Sequence, residues 1–593
     1  MSRKNIENVY PLSPLQEGML FHTLYAEGEG AYVTQFDWAV RGSFDLDAFQ
    51  RAFQQVVDRH AILRTFFTWE GLERPIQIVR KRAKLTVELQ DLRALSPSEQ
   101  GERLRRFADE DRRRGFDLTK APAMRVIVFR LGDEHHRCFL SIHHIVIDGW
   151  SKSILIREVL SLYHAYTAGR ELSLPPPTPY ADFIAWLGKQ DPAKAEGFFR
   201  QLLAGFSAPT PFGVDRPDQE GAGEGFEDLG FALSPEQSQE VSAFARAQGL
   251  TVNTVVQGTF AILLSRYSGE EDVLFGATVS GRSAPITGID RMVGLFINAV
   301  PVRARLNPDE PVSAFLAALQ VQQADIREYE HTPLVTVQGL SEVPRGTPLF
   351  ESLVVFENFP VEESVTLEPA REGGGAGGKA GTRPASMGDS RVREHSNYPL
   401  TLMAAIGKQL AVQVSFDLRR FEPATIRRML GHFQNLLEAI LRAPGAPLAA
   451  LSILGKDERK MLVEHWNATD LPYLDTATLH GLFEARVARA PEAPALLSEG
   501  RKISYRALNE EANRLAHHLR SLGAGQGTQV GICVERSPSM VVALLAVLKS
   551  GASYVPIDPA YPRERIALMI EISRLPILVT QTKIEGSLPV RGI

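Results

Sequence analysis

Fourteen histidines occur in the sequence, three times as adjacent pairs, and one pair stands in a string that reads as a site. That string is Ser141-Ile142-His143-His144-Ile145-Val146-Ile147-Asp148-Gly149-Trp150-Ser151. An imidazole accepts or donates a proton close to neutrality, so it suits a base or a hydrogen-bond partner. Successive side chains of a strand point to opposite faces, so His143 and His144 cannot both enter one cleft. One is expected to pack inward and set the local backbone, and the other to project into the cleft. Asp148 follows across a turn ending in Gly149, so an ion pair with an arginine suits it better than contact with the imidazole. Arg64 and Arg282 are the candidates for that partner. Gly149 allows a tight backbone and leaves room for a ligand beside it. The bland alternative is a core strand with two satisfied histidines. The other pairs carry less: His135-His136 lies in a charged stretch that reads as a solvated turn, and His517-His518 on the surface of a helix.

The elements that must position the pair alternate in type. Met124 to Phe129 and Cys138 to His143 read as strands, and Leu46 to His60 and Ser151 to Thr167 as amphipathic helices. Pro175-Pro176-Pro177 can continue neither a helix nor a central strand and marks the way out of a first lobe. A second lobe repeats the style. Ser234-Pro235 caps a helix, Thr251 starts another through Arg266, and Val273 to Val279 and Ala299 to Arg305 are strands. Pro311 to Glu328 and Glu422 to Leu441 are long helices. Within this lobe Gly373 to Lys379 nearly fits a phosphate-binding loop. Ala380 stands where that loop needs a hydroxyl, so a flexible insertion over Gly373–Gly381 is the better reading. A third unit from about Leu479 alternates helix and strand, which suggests a parallel sheet. The expected domains are 1–180, 181–450, a linker over 451–474, and 475–593.

Composition bounds the class. The 593 residues are 44% hydrophobic and 23% charged, which excludes a disordered or fibrous chain. The net charge of −5 shows no basic excess, so nucleic acid is an unsuitable partner. Cys138 and Cys533 are the two cysteines, too few for a disulfide framework or a thiolate metal cluster. Met1 to Asn5 lead into no apolar core, and the longest apolar run, Met540 to Leu548, is half a membrane span. A soluble, cytoplasmic, multi-lobed protein is expected.

Further strings stand in order around the histidine pair. They are Tyr10–His22, Arg59–Phe66, Tyr180–Trp186, Phe275–Arg282 with Met292–Asn298, Tyr329–Leu334, and Pro348–Phe350 with Val354–Asn358. With His143–Gly149 this series resembles a condensation domain of a non-ribosomal peptide synthetase over residues 1 to about 450. The resemblance implies an α/β fold of two chloramphenicol-acetyltransferase-like lobes in a V-shaped pseudo-dimer. A tunnel between them would admit two phosphopantetheine arms. It implies an acyltransferase that joins a donor acyl or peptidyl thioester to the amine of an acceptor aminoacyl thioester. His144 is then the catalytic histidine, acting as a base or by positioning the amine. His143, Asp148 and Gly149 belong to the site, with Arg282, Arg64, Ser151 and Asn358 in support. No cofactor or metal is expected on the chain; carrier-protein phosphopantetheine arms, or acyl-CoA, bring the substrates.

Ile503–Leu508 and Leu548–Asp558 resemble the first motifs of an adenylation domain. The later ATP-binding motifs are absent, so amino-acid activation is not expected, and the sequence looks like a piece of a larger synthetase. Heterocyclising relatives carry Asp where His143 and His144 stand, and epimerising relatives are not usually followed by an adenylation domain. A starter domain that N-acylates the first amino acid from fatty acyl-CoA is a rival reading. A natural start at Met1 would favour it, whereas a cloning boundary would say nothing. Met19–His22 resembles domains that accept a donor ending in a D residue. A module that only docks carriers is the remaining alternative, and the intact His144 and Asp148 argue against it.

Overall fold

The computed structural model describes residues 5–25, 30, 32–216, 225–357, 386–393, 398–472 and 476–589, with the backbone alone for 386–393. The glycine-rich stretch Gly373–Gly381 lies outside these residues. The chain forms two compact units, Met1–Leu462 and Val463–Ile593.

The first unit holds two large apolar cores, one under each of two sheets. A five-stranded sheet runs in the order Ser386–Arg393, Val33–Arg41, His135–His143, Met124–Arg130, Val87–Asp91. A six-stranded sheet runs Asn298–Arg305, Asp272–Val279, Ser352–Glu357, Leu400–Ile406, Leu410–Asp417, Phe226–Ala232. Local chemistry starts the helices that cover them. Asp45 accepts from the Ala48 amide at 2.9 Å to open Leu46–Arg59, which buries Phe49, Phe53, Val56 and Val57. Ser234 and Gln237 form a reciprocal capping box at the start of Pro235–Ala247, with proline in the first turn. Thr251 caps Val252–Ser268. The proline run crosses the surface without regular structure, held by Arg59, which donates to the carbonyls of Leu174 and Pro175.

Two segments from the second half of this unit join the first lobe. Ile289, Met292, Val293 and Phe296 lie in the first core, and Ser386–Arg393 pairs antiparallel with Val33–Arg41. A cut at one position in the sequence does not capture this interweaving, because both segments leave the second lobe and return to it.

His135-His136 departs from the expected turn. The strand begins at His135, and His136 is buried with its ring centroid 5.0 Å from that of Phe44. Its backbone pairs with Val40, and that pairing overrides the charged neighbours in the sequence.

In the second unit Ser553–Pro556, Gln529–Cys533 and Ile577–Thr580 form a three-stranded parallel sheet, as the alternation predicts. Pro494–Ser498 does not join it. It pairs antiparallel with Arg501–Ser504 through a tight turn at Glu499-Gly500. Among the described residues no helix is long and apolar enough to cross a membrane.

Candidate functional site

The strand His135–His143 ends at His143, and His144 opens a short 3-10 turn, His144–Val146. The two rings therefore part at a strand end rather than by alternation within a strand. His143 is fully buried. Its Nδ1 accepts from the Ile145 amide at 3.1 Å, which requires that nitrogen to be unprotonated. Its Nε2 lies 3.2 Å from Thr23 Oγ1, and Thr23 donates its own proton to the Met19 carbonyl at 2.7 Å. The tautomer with the proton on Nε2 follows from this network. Burial pushes the ring's pKa down to about 3, and the neighbouring His144 adds to the shift. His143 is thus a neutral brace between the helix Pro14–Tyr25 and the turn that carries His144.

His144 is held through its backbone, its amide donating to the Tyr32 carbonyl at 2.8 Å. It lines a cavity of about 730 Å³ that also receives Gly149. One wall of the cavity comes from the first lobe, through Leu15 and Met19; the other comes from the second, through Leu353 and Met403. A smaller cavity of about 190 Å³ shares Leu15, Met19 and Tyr398 as lining.

Asp148 has a different task. Fully buried, it caps the helix Gly149–Thr167 by accepting from the Ser151 amide at 2.7 Å, and accepts from the Phe296 amide at 3.1 Å. Arg282 donates to its two oxygens at 3.2 and 3.3 Å. The same guanidinium donates to Ser151 Oγ at 2.8 Å and to the carbonyls of Ile289 and Met292 at 2.5 and 2.9 Å. It also lies 4.1 Å from the Phe296 ring centroid. Burial lowers the Arg282 pKa, and the Asp148 charge opposes that shift. Ser151 Oγ completes the junction with the Gly294 backbone, donating to its carbonyl at 2.9 Å and accepting from its amide at 3.1 Å.

Two glycines make this junction possible. Gly281 has φ +64°, and a Cβ there would lie 1.8 Å from the Phe296 carbonyl oxygen. At Gly294 a Cβ would lie 2.2 Å from the Tyr180 ring.

Arg64, the other candidate partner of Asp148, is elsewhere. It binds Glu7 and the Arg80 carbonyl, so it serves the small sheet of Ile6–Pro11, Ile76–Arg80 and Thr65–Thr68. The reason is its neighbours: Arg64 closes the turn Ala61–Arg64 directly before Thr65–Thr68, and that strand pairs with Ile76–Arg80. Asn358 lies outside the described residues. Thr23 and Phe296 went unnoticed as site residues. Thr23 acts on a side chain 120 positions away and carries no mark in composition or spacing, whereas Phe296 stands within the Met292–Asn298 string but acts through its backbone amide.

The family described as Condensation domain matches residues 6–463. The chain belongs to the condensation-domain family. A second match, to AMP-binding enzyme, covers residues 483–591. One of the proteins that make up linear gramicidin synthase in Brevibacillus parabrevis is 43% identical over 588 residues, 99% of this chain and 7% of that protein. Another protein of the same synthase is 44% identical over 579 residues, 98% of this chain and 11% of that one. The chain therefore spans a small part of these relatives. A crystal structure of a four-domain nonribosomal peptide synthetase bound to AMP and glycine superposes with a TM-score of 0.78 at 20% identity, over 99% of this chain and 44% of that one. The X-domain from teicoplanin biosynthesis gives 0.62 at 21%, over 75% and 97%. Both likenesses establish the fold. The starter reading is not favoured by the family match and these synthetase relatives; a starter condensation domain of rhizomide synthetase, 18% identical, shares the fold alone.

Proposed function

We propose that this condensation domain forms an amide between a donor acyl or peptidyl thioester and the amine of an acceptor aminoacyl thioester, each presented on the phosphopantetheine arm of a carrier protein. The observation that carries the reading is His144, which lines the cavity between the lobes on a turn braced by neutral His143. A thioester is already activated. What remains is to align two substrates and manage one proton. His144 takes that proton or holds the amine by a hydrogen bond as the C–N bond forms and the thiol of the donor arm leaves. Gly149 lines the acceptor's path. Asp148, Arg282 and Ser151 act on the architecture, because their bonds run to one another and to the backbone of the 289–296 segment. Arg64, held in the small sheet, takes no part in this reading. The two buried, unbridged cysteines suit a reducing, cytoplasmic setting.

The test is intact-protein mass spectrometry of an aminoacyl carrier incubated with the protein and either a peptidyl carrier or a fatty acyl-CoA. A mass gain from the carrier-bound donor, and its fall by about 100-fold or more in His144→Ala, is expected. Unchanged turnover in that variant would overturn the catalytic assignment.

A further inference from the structure

Two buried hydroxyls in the cavity wall, those of Thr34 and Ser415, make no hydrogen bond among the described residues, and Ser415 stands on the second lobe's wall. Ser415 is 2% exposed, lines the larger cavity, and its Oγ makes no hydrogen bond among the described residues. Its strand, Leu410–Asp417, sends Leu410, Val412, Val414 and Phe416 into the second core. Strict alternation turns Ser415 to the opposite face. Its register partner Thr401 lies on that face too, and Thr401 pairs in turn with Leu353 on the next strand. Thr401 and Leu353 line the same cavity, so Leu353, Thr401 and Ser415 form one row across the wall.

A buried hydroxyl left without a partner is rare in native proteins and calls for an explanation. Packing does not supply one, since alanine would fill the same space without a polar atom. A water in the cavity would satisfy the hydroxyl before a chain binds, and a polar atom of a bound chain would take that water's place. The charge of the wall narrows what that ligand is. Among the described lining residues there is no lysine or arginine; Glu351 is present but taken up by Arg420, which donates to both its oxygens at 3.0 Å, and Glu357 adds a second carboxylate. A negatively charged chain would find no cation to pair with among these lining residues.

We infer that Ser415 is a specificity-determining residue whose hydroxyl bonds a neutral polar atom of the acyl or aminoacyl chain in the cavity, so that the preferred chain is largely apolar and carries no negative charge. The inference rests on the condensation reading for the class of the ligand, and binding rather than turnover tests it.

The probes are non-reactive N-acetylethylenediamine amides of L-threonine, L-valine and L-aspartate, titrated calorimetrically into the full chain. Threonine and valine differ by one hydroxyl in place of one methyl. Wild type should bind the threonyl amide about five- to tenfold more tightly than the valyl amide, with the aspartyl amide weakest. Ser415→Ala should erase the threonyl preference and leave valyl binding unchanged, whereas Ser415→Thr should retain it. Should Ser415→Ala fail to fold, as judged by circular dichroism, Ser415→Cys keeps the volume with a weak donor and should reduce the preference. A wild type without the preference, or variants that keep it without the hydroxyl, would overturn the proposal. Amide formation is measured separately: its absence alongside an intact threonyl preference sinks the condensation reading and leaves this one, and the converse result does the opposite.

Discussion

At the histidine pair, hydrogen-bond geometry separates two identical side chains into two tasks. Protonating His143 on Nδ1 would set that N–H against the N–H of Ile145, and the buried site offers no solvent to relieve the conflict. The neutral ring is therefore part of the fold. The sign of its pH effect follows: the folded ring titrates near about 3 and the unfolded one at 6.5, so acid favours the unfolded chain. Its contribution is complete above pH 6.5 and is lost progressively as the pH falls toward about 3. His136, His164 and His331 are also lowered by burial and add slopes of the same sign, so a difference between variants is the informative quantity. His143→Asn keeps an acceptor for the Ile145 amide and removes the titration. Urea denaturation between about pH 4 and about 7.5 should show a shallower loss of stability in this variant than in wild type; parallel curves would refute the assignment. Thr23→Val removes the other partner of the ring and should cost about 1 to 2 kcal/mol near neutral pH by the same measurement.

The junction that joins the first lobe to the 280–296 segment is built on a buried ion pair, and such a pair is revealing when it is cut. Removing one partner leaves a buried charge, whereas removing both leaves none. Asp148→Leu or Arg282→Met alone should each destabilise the first unit by about 3 to 5 kcal/mol, while the double variant should fall well short of the sum. Additive losses would mean that the capping bonds to Ser151 and Phe296, rather than the charge pair, hold the junction. Much of this arrangement was legible in the sequence, since the His-His and Asp-Gly spacing, the helix after it and Arg282 all stand in the strings that carry family resemblance. Secondary structure was equally readable wherever capping and periodicity agree, as at Ser234 and Thr251. What escaped depends on contacts between distant segments. The pairing of His136 with Val40, the strand Ser386–Arg393 entering the first lobe's sheet, and the choice of Glu7 by Arg64 are all tertiary outcomes with no local signature.

At the scale of the whole chain, the two units carry separate cores and separate consequences. Every described residue that lines the cavities beside His144 belongs to Met1–Leu462. That unit also closes its own C-terminal edge, where His432 Nε2 meets Glu458 at 2.8 Å and so ties Lys456–Lys460 to the helix Pro423–Arg442. Val463–Ile593 is thinner. Its cores are small, its helix Leu479–Arg489 has no fully buried residue, and Leu497 and Ile572 are more than two-thirds exposed. Less apolar surface removed from water means less stability, so the two units should not melt together. Urea unfolding of the full chain should show two transitions, the weaker one belonging to the second unit and absent from a chain ending at Leu462. The shortened chain should keep amide formation within about twofold of the full chain, because no described cavity-lining residue leaves with the second unit. A shortened chain that folds with its single transition intact and yet forms no amide would place part of the machinery in Val463–Ile593, and would refute a site built within the first unit.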